Sequence, residues 1–296
     1  EMLGLQLTPD GFFLEAHPKL QPVDAATRGI FFAGCAEAPK DIKESVTQGS
    51  AAAARVARLL HRGEMLSEPI TAEVEAEKCK FCGKCVEVCP YGAISLDSKR
   101  KIPAAVNPAA CAGCGTCAAE CPFDAIDMNH FTDQQIMGQV ENLLSESPQN
   151  RVLVFACNWC SYAGADYAGV SRLQYPPSVR LVRTMCSGRV DESFIWEGFA
   201  RGAPVILVSG CHIGDCHYID ANKWTVKRVE KIQKKMAKLG IRPERLRLEW
   251  VSAAEGIRFA ALMREMETLR MGVTSEEIAE TVRALAEKAA KTAPAA

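Results

Sequence analysis

The sequence predicts a multidomain chain of α+β and α/β type: a small duplicated unit, then a parallel-sheet domain with cysteines at the C-terminal ends of its strands. Three observations lead there. Residues 70–97 (ITAEVEAEKCKFCGKCVEVCPYGAISLD) and 102–129 (IPAAVNPAACAGCGTCAAECPFDAIDMN) are two copies of one pattern. Cys79, Cys82, Cys85 and Cys89 align with Cys111, Cys114, Cys117 and Cys121, Pro90 with Pro122, Tyr91 with Phe123, and Ile94 with Ile126. Such a duplication implies two similar halves packed on each other. Further on, RVLVFAC (151–157), VRLVRTMC (179–186) and PVILVSGC (204–211) are β-branched or apolar runs of the kind buried parallel strands show, with helical stretches between them. Finally, the 296 residues include 14 Cys, and these are clustered. Secreted disulfide scaffolds are short and loop-rich, whereas this chain is long and rich in helix formers, so the cysteines read as metal ligands in a reducing compartment.

The elements follow in order. Residues 1–66 form a separate block, with IFFAGC (30–35) expected as a short buried strand entering a glycine turn and ESVTQGSAAAARVARLL (44–60) as a helix. Residues 67–130 carry the repeat. Residues 131–150 read as a short helix and a polar linker ending in SESPQN. Residues 151–296 form the sheet domain. There RLRLEW (245–250) alternates as a half-buried strand would. Val229, Ile232, Met236 and Leu239 share a helical face closed by Gly240. Ser252 and Glu255 fit a capping box for a helix ending at Gly272, and Thr274 and Glu277 fit another for a terminal helix with Ile278, Val282 and Leu285 on one stripe. The last residues, AAKTAPAA (289–296), are expected to fray.

Hydrophobic residues make up 48% and charged residues 24%, an ordinary balance for a soluble globular protein. Lys plus Arg number 35 against 36 Asp plus Glu, a net charge of -1, which argues against a general nucleic-acid binder. No apolar run approaches the ~20 residues of a membrane span. The opening segment lacks a signal-peptide pattern, so a cytoplasmic location is expected, with peripheral attachment to a membrane complex left open.

Each half of the repeat carries C-x2-C-x2-C-x3-C-P, the run of bacterial two-cluster ferredoxins, in which the fourth Cys ligates the other cluster. The expected ligands of [4Fe–4S] cluster I are therefore Cys79, Cys82, Cys85 and Cys121. Those of cluster II are Cys111, Cys114, Cys117 and Cys89. Gly83, Gly113 and Gly115 suit loops that curl tightly around sulfur. A zinc site would use two separated C-x2-C knuckles, which these compact runs do not resemble. GCGTCA (113–118) also matches a loose dinucleotide fingerprint, but it follows no βαβ strand and its cysteines are already assigned. Tyr91 and Phe123 read as packing around the clusters.

Five more cysteines remain in the sheet domain: Cys157, Cys160, Cys186, Cys211 and Cys216. Three of them end predicted strands, and an open parallel sheet gathers ligands at its strand C-termini. Four thiolates suffice for a [2Fe–2S] cluster, and the sequence leaves open which Cys is surplus. Zinc, or a thioredoxin-like dithiol at Cys157 and Cys160, stays as an alternative. His212 and His217 could replace a thiolate, although loop packing is their commoner role. Lys223, Lys227, Arg228, Lys231, Lys234, Lys235 and Lys238 crowd one helix side, expected as a solvated face or as a dock for an acidic redox partner.

CNWCSYAGAD (157–166), VRLVRTMCSGRVD (179–191) and GCHIGDCHY (210–218) resemble the delta subunit of methyl-viologen-reducing hydrogenase over about residues 151–270. That resemblance implies one [2Fe–2S] cluster, held by four of the five cysteines, and a relay of electrons from a hydrogenase or formate dehydrogenase. Residues 8–54 resemble the tail of the flavin domain in the A-subunit of heterodisulfide reductase, which the ferredoxin repeat also follows in that family. The resemblance implies flavin contacts at Gly34, Cys35, Lys40, Asp41 and Ile42, with a helix N-terminus facing the cofactor. Cys35 by itself reads as a small buried residue. The Gly-rich dinucleotide fold of that family is missing, so a fragment or one half of a split protein is expected, binding FAD only with the missing flavin domain.

The whole chain thus resembles the C-terminal region of the heterodisulfide reductase A-subunit fused to a hydrogenase delta subunit. Single-electron relay is implied, with no catalytic residue of its own. The expected partners are other heterodisulfide-reductase-type subunits and a hydrogenase or formate dehydrogenase, in an anaerobe. The alternatives are a quinone-modifying or aromatic-ring-reducing complex, or a redox-sensing module. For a sensor that binds DNA, no recognition helix with base-reading residues is visible.

Overall fold

The computed structural model describes residues 5, 7, 8, 10–17, 21–25, 29–64 and 69–292; part of the tail expected to fray lies outside them. In the N-terminal block, β1 (Glu15–His17) pairs antiparallel with β2 (Gln21–Ala25). The strand expected at 30–35 does not form. Phe31 makes one isolated bridge to Asp24, and Gly34–Ala36 is a 3-10 turn because Gly34 takes φ +62° and bends the chain away. The helix α1 (Ile42–Arg62) starts earlier than its alanine-rich stretch. Asp41 accepts from the Glu44 amide at 2.6 Å, and the Glu44 carboxylate accepts from the Asp41 amide, a capping box that satisfies two orphan donors. Gly63 ends it in the left-handed region. Arg55 ties α1 to β2 through Asp24 at 2.5 Å.

The repeat folds as two interleaved halves. The strand β3 (Ala72–Val74) opens the first half, followed by α2 (Lys84–Glu87) and β4 (Ile94–Asp97). The second half repeats this with β5 (Ile102–Val106), α3 (Thr116–Ala119) and β6 (Ile126–Met128). Pairing crosses the halves: β3 joins β6 and β4 joins β5, all antiparallel. Neither half completes a sheet alone, which is why the duplication is needed.

The short helix expected within residues 131–150 forms, and it does more than connect. Thr132 and Gln135 form a capping box for α4 (Asp133–Leu144), whose Ile136, Val140 and Leu144 follow at i, i+4 and i+8 and are buried beside Leu153, Phe155 and Phe194. A stripe of that spacing on a short helix marks core, and α4 is a structural layer of the domain that follows.

That domain alternates β7 (Val152–Cys157), α5 (Ala163–Val170), β8 (Val179–Thr184), α6 (Glu192–Ala200), β9 (Val205–Gly210), α7 (Ala221–Lys238), β10 (Leu246–Trp250), α8 (Gly256–Met271) and α9 (Ser275–Thr292). The four strands are parallel in the order β10-β9-β7-β8. One face carries α4, α6 and α7, and the other carries α5 and α8, so every residue of β7 and β9 is buried. This double cover explains the unbroken apolar runs. Thr274 caps α9 through the Glu277 amide at 3.2 Å. The box expected at Ser252 is different. Glu255 accepts from the Ser252 amide at 2.7 Å, but α8 begins only at Gly256, and the Glu255 carboxylate also takes up His212 at 2.7 Å.

Candidate iron–sulfur centres

Cys79, Cys82, Cys85 and Cys121 line one recess of about 330 Å³, together with Lys80, Lys84, Leu96 and Phe123. Cys89, Cys111, Cys114 and Cys117 line a second of about 320 Å³, together with Tyr91, Ile94 and Gly115. Each recess thus takes three cysteines from one run and the last cysteine of the other. The loops curl because Gly83, Gly113 and Gly115 all sit near φ +79°, and Phe81 joins them at +56°. At Gly113 a Cβ would come within 2.4 Å of the Ile70 carbonyl oxygen. Backbone amides point at sulfur: Ala125 donates to Cys121 Sγ at 3.3 Å and Ala72 to Cys111 Sγ at 3.5 Å. Burial pushes the Cys85 and Cys89 thiols up, Cys117 well up, and Cys114 to about 12. Uncompensated thiolates are costly there, and metal charge is what offsets that cost. Among the described residues no group of three or more His, Cys, Asp or Glu is disposed to hold a single metal ion. In the two recesses the cysteines surround room for a larger, apolar-walled group, a shape that fits a cubane.

Phe123 departs from the packing role expected of it. It is 42% exposed at the mouth of the first recess, whereas its counterpart Tyr91 is buried. Asp124 at φ +48° follows Phe123 where Gly92 follows Tyr91.

The third site forms at the C-terminal edge of the sheet. Cys157 is the last residue of β7, Cys211 follows β9 directly, and Cys186 lies two residues past β8. Cys157 Sγ lies 3.8 Å from Cys211 Sγ. The Cys186 and Cys216 thiols lie next to this pair, so that Cys157, Cys186, Cys216 and Cys211 form a ring of neighbouring sulfurs whose ionisations depend on one another. Bonds donated by Cys186 and Cys211 hold the Cys157 thiol well below its ordinary value and Cys216 at about 3, while Cys186 and Cys211 are raised. Cys160 is beside Cys211, and its backbone amide faces the Cys157 thiol; it lies in the π-helical turn Asn158–Tyr162 and is partly exposed. His212 faces Glu255, and His217 stacks on Trp159 with centroids 3.9 Å apart. Trp159 Nε1 donates to the Tyr218 hydroxyl at 2.9 Å, and Tyr218 is buried beside the ring.

Of the flavin-related residues, Gly34 is left-handed, and Cys35 is exposed rather than buried, its Sγ 3.9 Å from the Lys40 carbonyl oxygen. The Asp41 carboxylate caps α1, and Ile42 is exposed. The burial expected of Cys35 fails because the 3-10 turn at Gly34 carries it outward.

Sequence reasoning missed the contact between the ferredoxin-like unit and the sheet domain. Tyr91, Ala93, Cys186, Tyr218 and Ala221 form one buried cluster against which Cys89, Cys111, Cys114 and Cys216 pack. Arg228, expected on the solvated face of α7, is buried. Its guanidinium donates to Glu120 Oε1 at 2.6 Å and to the Gly188 and Val190 carbonyls. The signal was there: Thr225, Arg228, Val229, Ile232 and Met236 share the apolar side of the helix, where an arginine needs a partner.

Two four-cysteine recesses on a duplicated α+β unit, joined to a thiol ring at the edge of a parallel sheet, define an iron–sulfur oxidoreductase component. Residues 78–125 match the 4Fe-4S dicluster domain family, and residues 152–272 match the methyl-viologen-reducing hydrogenase delta subunit family. The iron-sulfur D-subunit of the F420-non-reducing hydrogenase of Archaeoglobus profundus is 47% identical over 124 residues, 42% of this chain and 90% of that protein. The A-subunit of the ferredoxin/F(420)H(2)-dependent CoB-CoM heterodisulfide reductase of Methanosarcina acetivorans is 48% identical over 265 residues, 89% of this chain and 33% of that protein. The iron-sulfur A-subunit 2 of the CoB–CoM heterodisulfide reductase of Methanopyrus kandleri is 61% identical over 142 residues, 48% of this chain and 22% of that protein. The chain belongs to the hydrogenase delta-subunit family, joined here to a region matching the C-terminal part of the heterodisulfide reductase A-subunit. It spans about a third of the length of the Methanosarcina relative.

Proposed function

We propose that this chain is an electron-relay segment joining a hydrogenase or formate dehydrogenase to a heterodisulfide-reductase-type complex. The first recess would be held by Cys79, Cys82, Cys85 and Cys121, the second by Cys111, Cys114, Cys117 and Cys89. The ring Cys157, Cys186, Cys211 and Cys216 would hold a [2Fe–2S] group, with Cys160 outside it. When bound, such clusters supply one-electron carriers, and the protein supplies spacing, burial and potential. Tyr91, Tyr218, Ala93 and Ala221 keep water out between the ring and the second recess. That shared dry cluster is the observation that carries the reading. The first recess, with Cys82 and Phe123 exposed, opens to the surface and is the port toward the rest of the complex. FAD would be held by residues around Gly34–Ile42 only together with a dinucleotide-binding domain. No helix among the described residues is long and apolar enough to cross a membrane, and the reading places the complex in the cytoplasm.

Native purification of the chain with its neighbours tests this. The expected result is a hydrogenase or formate dehydrogenase in the complex, with H2 or formate bleaching the chain's iron–sulfur absorbance. Co-purification with DNA or a signalling protein, and no bleaching by either donor, would overturn it.

A further inference from the structure

The turn after Cys186 is plugged into the second recess. Gly188 donates its amide to Cys186 Sγ at 3.4 Å. A Cβ on Gly188 would lie 2.4 Å from Thr116 Oγ1, and Thr116 opens the short helix that carries Cys117. Next in sequence, the Arg189 stem lies on Gly115, where a Cβ would be 2.4 Å from Arg189 Cδ. Only glycine at 115 leaves room for that stem. The Arg189 guanidinium is 1% exposed and reaches back to the ferredoxin-like unit and α4. Its Nη2 lies 3.0 Å from Asp127 Oδ1, 2.5 Å from Asp133 Oδ1 and 3.1 Å from the Phe131 carbonyl oxygen. Its Nη1 is buried without a hydrogen-bond partner. The two carboxylates that balance it are nearly half exposed, so water screens them while the guanidinium stays dry.

We propose that Arg189 is a positioning residue that locks the thiol ring at a fixed distance from the second recess and raises that recess's reduction potential. The proposal rests on the reading that both sites hold iron–sulfur clusters. The stem fixes the Gly113–Gly115 loop, and its backbone is continuous with Cys186. A desolvated positive charge beside a cluster favours the reduced, more negative state.

The experiment is an anaerobic redox titration of the full reconstituted chain, followed by electron paramagnetic resonance, with iron and sulfide measured on every sample. In Arg189→Met the second-recess cubane titrates at lower potential, by more than any shift of the first. The magnetic broadening between that cubane and the ring's cluster is lost at unchanged iron content. In Asp133→Asn the same potential moves upward with the broadening kept, because the guanidinium loses a counter-charge. Opposite signs are what a purely structural role would not produce. Shifts of the same sign in both variants, or no shift and intact broadening, would overturn the proposal. If Arg189→Met fails to assemble, Asp133→Asn decides alone: an upward shift supports the lock and no shift overturns it. A wild-type chain with no iron in the ring would refute the cluster reading instead.

Discussion

The two recesses of the ferredoxin-like unit and the ring of the sheet domain each gather four cysteines by opposite means. In the recesses, loops wrap the site, and three of every four thiols come from one short run. In the ring, strand ends deliver Cys157, Cys186 and Cys211 and a loop delivers Cys216, and Cys157 meets Cys211 across 54 residues of chain. Loops buried around sulfur raise their thiols through desolvation, as at Cys114 and Cys117. The ring instead sets its thiols against one another, so that Cys186 holds Cys157 down and is itself raised. Local wrapping demands glycine; strand-end assembly demands a covered sheet.

That contrast can be broken most strongly at Cys186. It alone comes from the β8 edge, and no neighbouring cysteine can replace it. Cys186→Ala should abolish the ring's signal in electron paramagnetic resonance while both cubane signals persist. A full-strength ring signal would mean that Cys160 is a ligand. In the recesses, Cys89→Ser should damage the second cubane and Cys121→Ser the first, each in the recess opposite its own run. Spectra showing damage in the home run would contradict the crossed arrangement.

A smaller effect is expected at Gly113. Gly113→Ala adds a Cβ 2.4 Å from the Ile70 carbonyl oxygen at φ +79°, and should cost about 2–3 kcal/mol in denaturant unfolding. Unchanged stability would show that the loop does not need its glycine.

The difference is only half legible in the sequence. The recesses can be read because their ligands are close in the chain and each C-P run is duplicated. The strand ends are readable from apolar runs ending at Cys157 and Cys211. The placement of Cys160 is not, since it depends on a π-helical turn at Asn158–Tyr162 that no spacing rule announces. The lock is also hidden. Arg228 reads as a surface charge until the end of α3 supplies Glu120, and the partners of Arg189, Asp127 on β6 and Asp133 on α4, come from far upstream. Residues 131–150 read as a short helix and a linker, and the polar tail masks the buried stripe that makes α4 part of the core.

The smallest expected effect is on pH dependence in cluster-free protein, where the ring alone should respond to acid. Cys114 is raised from 9.0 to about 12, so its contribution is intact below the ordinary thiol value and is lost as pH rises through about 12. Cys216 is lowered from 9.0 to about 3, so its contribution is present above the ordinary value and is lost as pH falls toward about 3. Amide hydrogen exchange across this range should loosen the second recess in alkali only, and the ring both in acid, through Cys216, and in alkali, through the raised Cys186 and Cys211. Loosening of the second recess in acid, or a ring unmoved by acid, would contradict the contrast.

The most direct measurement counts iron, acid-labile sulfide and zinc per chain in anaerobically purified protein. Two cubanes in the recesses and a [2Fe–2S] group in the ring predict about ten irons, about ten sulfides and no stoichiometric zinc. About eight irons with about one zinc would contradict the account, placing a zinc site where the ring has been assigned a redox role.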